Sequence, residues 1–480
     1  MTTVLAIDQG TQSTKALLVG RNHAVSGRSA ASLERDFPRT GWVEQDAEAI
    51  WASVVAAAEG LGEATVDAIS LSTQRETVVA WDAVTGRPLG PALSWQDQRA
   101  VEICERLSDL ADVVAERTGL LLDPMFSAAK MAWMLDAYDP DRSGARNGRV
   151  KVGTIDSWLM WRLTGQHLTE AGNASRTSLL DIATVAWDPQ LCEAFGVPLE
   201  CLPQVVSSMP LVPTTITLGP APAGTPVAGV LGDSHAALFA NAGWRPGSVK
   251  ASYGTGSSIM AVSDATVAPG LCRTIAWHGP AGVARALEGN IRSSGATITW
   301  LCDLLGVSAP ELSTLALTGS PDVHLVPAFG GLGAPYWDAR AVGVLDGLDM
   351  GSGRADLARA ALESVAFQVT DVLAAVSAAG TPATTVLADG GATASDLLMQ
   401  WQADLAQANV VVSDEPELSA LGCADLAGIA VGGWSVADLE AMDRPRHEFT
   451  PAVTAADALS ARDGWGLAVA RARLTRKEHS

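Results

Sequence analysis

The chain has 480 residues, 48% hydrophobic and 18% charged, with a formal net charge of -21. That length exceeds what one hydrophobic core usually organises, so two domains are expected. The acidic balance disfavours nucleic acid and anionic membrane surfaces as partners, yet an anionic nucleotide can still be held by backbone N–H groups, helix N-termini and Mg2+.

No stretch of about 18 apolar residues runs uninterrupted, and the chain opens on a strand pattern without a charged, apolar, cleavable leader. Cys104, Cys192, Cys201, Cys272, Cys302 and Cys423 form no CxxC pair and read as buried free thiols. A reducing, cytoplasmic setting is expected.

In chain order, residues 3–7 read as a buried strand ended by Asp8, then a polar Gly/Thr/Ser loop at 9–14, then a second strand at 15–19, the pattern of a tight hairpin. Further strands are expected at 67–72 and 77–81, and helices at 127–135 and 157–163. Near the midpoint the plan repeats: strand 248–253, the turn Gly254-Thr255-Gly256-Ser257-Ser258, strand 259–262. The repeat, placed just after Gly243-Trp244-Arg245-Pro246-Gly247, divides the chain into domains 1–243 and 244–480. A strand at 384–388 ends in Asp389-Gly390-Gly391. A helix with Leu397, Leu398, Trp401 and Leu405 on one face follows, then a strand at 410–412 and a small-residue helix at 418–431. Gly422 and Gly428 in that last helix point to close approach of another backbone, since glycine there otherwise costs about 1 kcal/mol. The charged run 471–477 reads as the end of a solvated final helix. Strands alternating with helices give an α/β architecture.

Two aspartates stand at comparable places, Asp8 at the end of the first strand and Asp233 after a strand at 227–230. A carboxylate at the C-terminal end of such a strand faces the region where α/β proteins bind ligands. One can help hold Mg2+ through water, and the other can take a proton from a substrate hydroxyl. The bland reading of either is a helix cap. The turns at 10–14 and 254–257 can cradle phosphate oxygens, with Lys15 as a cation beside the first. Neither a Walker-type GxxxxGK[ST] nor a Rossmann GxGxxG after the first strand is present.

Specific segments then carry a resemblance. Leu5-Ala6-Ile7-Asp8-Gln9-Gly10-Thr11, Trp42-Val43-Glu44-Gln45-Asp46, Gln74-Arg75-Glu76-Thr77, Trp95-Gln96-Asp97, Gly172-Asn173-Ala174-Ser175-Arg176-Thr177, Tyr253-Gly254-Thr255-Gly256 and Gly331-Leu332-Gly333-Ala334-Pro335-Tyr336-Trp337-Asp338 resemble, in colinear order from residue 4 to about 434, the FGGY carbohydrate kinases, and among these the glycerol kinases. The resemblance implies two actin-like (ribonuclease H-like) domains with an interdomain active-site cleft. The N-terminal domain would bind substrate and phosphate, and the C-terminal domain the nucleotide. It implies ATP and Mg2+, with a small polyol or sugar as acceptor. Thr11, Gln12, Ser13 and Lys15 would meet the phosphates, as would Thr255. Gly295 and Thr299 would lie near the nucleotide, and Gly391 and Ser395 would flank the adenosine. Arg75, Glu76, Trp95, Met125, Asp233, Ser234 and Ser258 would line the substrate site, with Asp233 as base and Asp8 and Asp233 as the Mg2+ carboxylates. A homodimer is compatible with it.

Three of these positions depart from the glycerol kinase pattern. Met125 stands where a tyrosine is usual, Ser234 where glutamine is, and Ser258 where phenylalanine packs on the substrate's carbons. Erythritol, xylulose and ribulose therefore stand beside glycerol as acceptors. Residues 217–225 hold no arginine, so inhibition by a sugar bisphosphate is not expected, and no histidine occupies the segment that carries an activating phosphohistidine in other members. A non-enzymatic actin-like nucleotide switch and a sugar sensor without catalysis are the competing classes. Asp233 together with the Arg75-Glu76 pair favours the kinase, because a switch has no use for a polyol pocket.

Overall fold

Fully buried aliphatic runs such as Val4-Leu5-Ala6-Ile7 and Ala68-Ile69 have no solvent face to satisfy and form interior strands. The computed structural model describes residues 2–442, 444 and 446–474. Its principal strands are β1 (Val4–Gln9), β2 (Ser13–Val19), β3 (Val25–Ser32), β4 (Ala68–Thr73), β5 (Pro226–Gly232), β6 (Ser248–Tyr253), β7 (Ser257–Val262), β8 (Gly282–Ile291), β9 (Thr385–Asp389), β10 (Asn409–Ser413) and β11 (Arg446–Phe449). The helices that matter are α1 (Ala47–Glu59), α2 (Ser127–Tyr138), α3 (Ile155–Thr164), α4 (Ala171–Ala174), α5 (Asp233–Ala240), α6 (Gly295–Leu305), α7 (Arg354–Ala378), α8 (Asp396–Ala406), α9 (Leu418–Ala430) and α10 (Ala455–Ala472).

The chain divides into two compact units. The first comprises Met1–Ala242, Arg273–Arg285 and Glu417–Met442; the second comprises Gly243–Cys272, Ala286–Pro416 and Asp443–Ser480. A single cut between residues 243 and 244 gives the order of the units along the chain but not their membership, because two later segments return to the first unit.

In the first unit the sheet order is Val212–Pro213, β5, β4, β1, β2, β3. β1 is antiparallel to β2 but parallel to β4, and β5 is parallel to β4. Register sets Asp8 beside both Lys15 and Ser72, and Gly232 beside Thr73. The C-terminal ends of β1, β4 and β5 thus finish side by side. On one side of the sheet α1 and α3 complete the core, where Trp81 and Trp158 meet edge to face at 5.2 Å. The returning helix α9 lies against β5 and α5. A Cβ on Gly422 would sit 1.9 Å from the Ala236 carbonyl oxygen, and one on Gly229 would sit 2.6 Å from the Cys423 carbonyl oxygen. The close approach expected at Gly422 is therefore to a backbone. At Gly428 the neighbour is instead the Trp434 ring, 1.9 Å from where a Cβ would stand; the ring's own size, not a second backbone, demands glycine there.

The second unit repeats the plan. β6 is antiparallel to β7 and parallel to β9, and β9 is parallel to β10, within the order β8, β7, β6, β9, β10, β11. Its core includes Phe367 of α7 stacked on Trp465 of α10 at 5.1 Å. Helix α7 is long and apolar enough to span a membrane, but 78% of its apolar window is buried within the protein, as a core helix requires. Helix α10 likewise buries Trp465, Ala468, Val469 and Ala472. Arg471 lies in the last turn of this helix; residues 475–477 of the charged run lie outside the described residues. The six cysteines are free, Cys302 half-buried and the other five buried.

Candidate active site

The side-by-side strand ends in the first unit carry the carboxylates. Asp8 accepts a hydrogen bond from Ser72 Oγ at 2.8 Å. Burial pushes its carboxyl up to about 6 against that bond; the charge of Asp233 adds to the rise and Lys15 opposes it. Asp233 opens α5 immediately after β5, with 40% of its side chain exposed, so a small molecule can reach it. Its Oδ1 accepts the Ser234 N–H at 2.6 Å and lies 3.3 Å from Arg75 Nε. Two like charges at neighbouring strand ends, one of them already reluctant to ionise, form a donor set that a divalent cation would relieve.

Arg75 and Glu76 follow β4 directly. Arg75 Nη2 donates to Ser234 Oγ at 3.3 Å, so the hydroxyl expected to meet substrate also steadies the guanidinium. Glu76 is buried, at φ 59°, and Arg176 Nε donates to its Oε1 at 2.6 Å. Trp95 keeps an exposed face and donates through Nε1 to Thr11 Oγ1 at 3.2 Å. This bond joins a residue expected at the substrate to one expected at the phosphates. Met125 is half-buried, in a loop whose carbonyls at Pro124, Met125 and Phe126 all accept from the Lys130 ammonium.

The hairpin between β1 and β2 closes on Gly10 N–H to Ser13 carbonyl at 3.0 Å. Behind it Gln74 Nε2 donates to both Gln9 Oε1 and Gln45 Oε1 at 3.0 Å, and Gln45 Nε2 donates to the Thr11 carbonyl at 2.9 Å. Three amide side chains from separate segments thus form a network that ends on the Thr11 carbonyl. Two other segments join in one cluster. Arg99 contacts Asp97 through Nε at 2.9 Å and Nη2 at 2.8 Å, reaches Glu44 at 2.8 Å, and lies 3.7 Å over the Trp42 ring; Asp97 also accepts the Val43 N–H at 2.7 Å. Bonds thus join Arg75 to Ser234 and Asp233 and join Trp95 to Thr11 of the β1–β2 turn, Asp8 lies in register with Lys15, and Glu76 is tied separately to Arg176.

The second unit gathers the other set. The Thr255 carbonyl accepts N–H bonds from Ser294 and Ala296, and Gly295 N–H donates to the Gly254 carbonyl at 2.9 Å. The start of α6 is thereby tied to the turn between β6 and β7. Thr299 is exposed one turn along α6. Gly390 has φ 100°, and a Cβ on it would stand 2.7 Å from the Tyr253 carbonyl oxygen, so only glycine lets the 389–391 turn pass over the end of β6. Gly391 is exposed, and Ser395 caps α8, accepting from the Leu398 N–H and pairing with Ser313 Oγ at 3.2 Å. Ser258 sits in β7 and donates to Glu288 Oε1 at 3.1 Å. Beneath the turns, Ser252 Oγ accepts from Lys250 and donates to Asp389 Oδ1.

Sequence reasoning assigned no role to Arg176, Lys130, Ser72, Asp97 or Arg99. Arg176 lay inside a segment that carried the resemblance, and its burial together with a charge is the signal that needed the structure to be seen. Among the described residues, no group of three or more His, Cys, Asp or Glu side chains could hold a metal by itself.

Comparison with known proteins matches the chain over nearly its whole length. Residues 3–240 match the N-terminal domain of the FGGY family of carbohydrate kinases, and residues 249–431 its C-terminal domain. A glycerol kinase of Paraburkholderia phytofirmans is 41% identical over 490 residues, covering 98% of each chain. One of Trichlorobacter lovleyi is 43% identical over 493 residues, covering 98% of this chain and 99% of its own. The crystal structure of Plasmodium falciparum glycerol kinase with ADP superposes with a TM-score of 0.93 at 28% identity, covering 99% of each chain. With both domains matched in order and relatives above 40% identical end to end, this chain belongs to the FGGY family of carbohydrate kinases.

Proposed function

We propose that the protein transfers the γ-phosphoryl group of ATP to a primary hydroxyl of a small polyol, glycerol first among them. The observation that carries this reading is Asp233: an exposed carboxylate at a strand end, 3.3 Å from Arg75 and coupled to Asp8, in a chain whose curated relatives are glycerol kinases throughout their length. A polyol hydroxyl is a weak nucleophile, and Asp233 takes its proton as the bond to phosphorus forms. Arg75 and Glu76 hold the hydroxyls, with Trp95, Met125 and Ser234 beside them and Ser258 from the later half. Thr11, Gln12, Ser13, Lys15 and Thr255 meet the phosphates; Gly295, Thr299, Gly391 and Ser395 take the nucleoside. Residues 1–243 thus supply most of the acceptor and phosphate contacts, and 244–480 the nucleoside contacts together with Thr255 and Ser258. Asp8 and Asp233 would hold Mg2+ through water, and that ion would supply charge neutralisation for the phosphoryl oxygens. Water must be kept from the phosphoryl group, which closure over the acceptor achieves.

A second reading, an acceptor of four or five carbons such as erythritol, xylulose or ribulose, draws on Ser234. Its hydroxyl bonds to Arg75, and it stands, like Met125 and Ser258, where the glycerol kinase pattern has a different residue. Sugar bisphosphate inhibition is absent on either reading. The enzyme works in the cytoplasm, as a monomer or homodimer, without nucleic acid or membrane partners. A coupled ADP-release assay over glycerol, erythritol, xylulose and ribulose decides between the acceptors. Slow ATP hydrolysis indifferent to every acceptor would instead reveal a nucleotide switch, and no turnover at all a sensor.

A further inference from the structure

Glu76 is held in an expensive way. Its backbone sits at φ 59°, a region that few residues with a side chain occupy without a compensating tie. Ser127 Oγ donates to its carbonyl at 3.2 Å, fixing the peptide from the start of α2. Its carboxylate is buried, and Arg176 Nε donates to Oε1 at 2.6 Å, with the arginine side chain 1% exposed. The guanidinium lies 5.0 Å over the Phe126 ring, which is itself buried and adjoins Met125. Arg176 is anchored in turn: its N–H donates to the Asn173 carbonyl at 3.1 Å, and Glu170 caps α4 by accepting the Asn173 N–H at 2.9 Å. Among the described residues, Arg176 alone hydrogen-bonds the Glu76 carboxylate, and it does so through Oε1, which leaves Oε2 to a ligand.

Burying two charges as a pair costs desolvation that their attraction often only matches, so stability is a poor reason for keeping such a pair. What a buried arginine adds is direction, because its rigid guanidinium holds the donor at a set place, here Nε against Oε1 at 2.6 Å. We propose that Arg176 is a positioning residue for the acceptor: it orients Glu76 so that Oε2 receives a polyol hydroxyl, while never touching the acceptor itself. The proposal rests on the reading of Glu76 as an acceptor ligand given above.

The test uses the full-length enzyme with glycerol and ATP, comparing Arg176→Gln, Arg176→Lys and Glu76→Gln with the parent, with thermal melts alongside. In Arg176→Gln, KM for glycerol is expected to rise about tenfold or more, the scale of loss that misplacing a binding group produces, with KM for ATP within about twofold. Arg176→Lys, which keeps the charge but not the planar fork, should fall between. A folded Arg176→Gln with the parent's KM for glycerol overturns the proposal, as does an equal rise in both KM values, the mark of a merely structural role. Should Arg176→Gln fail to fold, Arg176→Lys decides: KM for glycerol raised about threefold or more supports the idea, and a parental value overturns it. Glu76→Gln separates the two layers of argument. If it leaves KM for glycerol unchanged, the acceptor-ligand reading of Glu76 has failed; if it raises KM while the Arg176 variants do not, only the positioning role has.

Discussion

Asp233→Asn keeps the size and most of the hydrogen bonding of the side chain but cannot accept the hydroxyl proton. Turnover should fall by about 10²–10⁴-fold, the usual weight of a general base, with ATP still bound; near-parental turnover in the ADP-release assay would remove Asp233 from the base role. Asp8 makes a different kind of prediction. Its folded-state carboxyl is raised to about 6 from an ordinary 3.8, so the folded protein holds that proton more tightly than the unfolded chain does. Stability linked to the group is present below about 4 and is lost as pH rises through about 6. Asp8→Asn, which can still accept the Ser72 bond, should therefore melt at a higher temperature than the parent at pH 7.5 without metal. The gain, about 1–3 kcal/mol, should shrink to nothing near pH 4. Millimolar Mg2+ should stabilise the parent and not the variant, and the variant should lose activity. A gain unchanged between pH 4 and 7.5 would show that Asp8 is not the group responsible.

At the scale of elements, glycine placement makes the sharpest test. A Cβ at position 422 meets the Ala236 carbonyl at 1.9 Å, between two helices whose backbones cannot both yield. Gly422→Ala should cost about 1–3 kcal/mol or more, read as a fall in melting temperature, whereas an alanine tolerated without loss would mean that α9 can lift away from α5. Much at this scale was legible beforehand. Strand 248–253 was read with the bounds the structure gives it, and most others to within a residue or two, because buried aliphatic runs bounded by Gly, Thr and Ser turns allow little else. Asp8 and Asp233 were legible for the same reason, each ending such a run. Contacts between distant segments were not. The Arg176–Glu76 pair spans 100 residues, and no local periodicity says which carboxylate a buried arginine will choose. The amide network of Gln9, Gln45 and Gln74 is equally non-local, so the segments that carried the resemblance could be recognised before the bonds that join them.

For the whole molecule, the sequence offered two domains in tandem, while the structure counts residues 273–285 and 417–442 with the first. Local pattern foretold a helix at 418–431 but not its partner, since small residues suit many surfaces. The Cys423 thiol donates to the Leu71 carbonyl at 3.1 Å, and His23 contacts Asp425 at 2.9 Å with both side chains buried, so the first unit depends on this helix for cover. A chain lacking only residues 417–442, with residue 416 joined by a short linker to the segment that leads into β11, keeps α10 in the second unit and should accordingly lose cooperative melting of the first unit and bind a hydrophobic dye, while the full chain does neither; a deleted protein with two intact transitions would show the helix to be dispensable.

That borrowed helix also bears on how the protein is made. A ribosome releases residues 1–242 long before residue 417 appears, yet the sheet they form cannot be roofed until α9 arrives. The early half must wait, loosely packed and open to chaperones and proteases, while nearly all of the later half is still being synthesised. The order of synthesis and the order of completion are thus uncoupled, and the N-terminal part of the chain is among the last to become fully native.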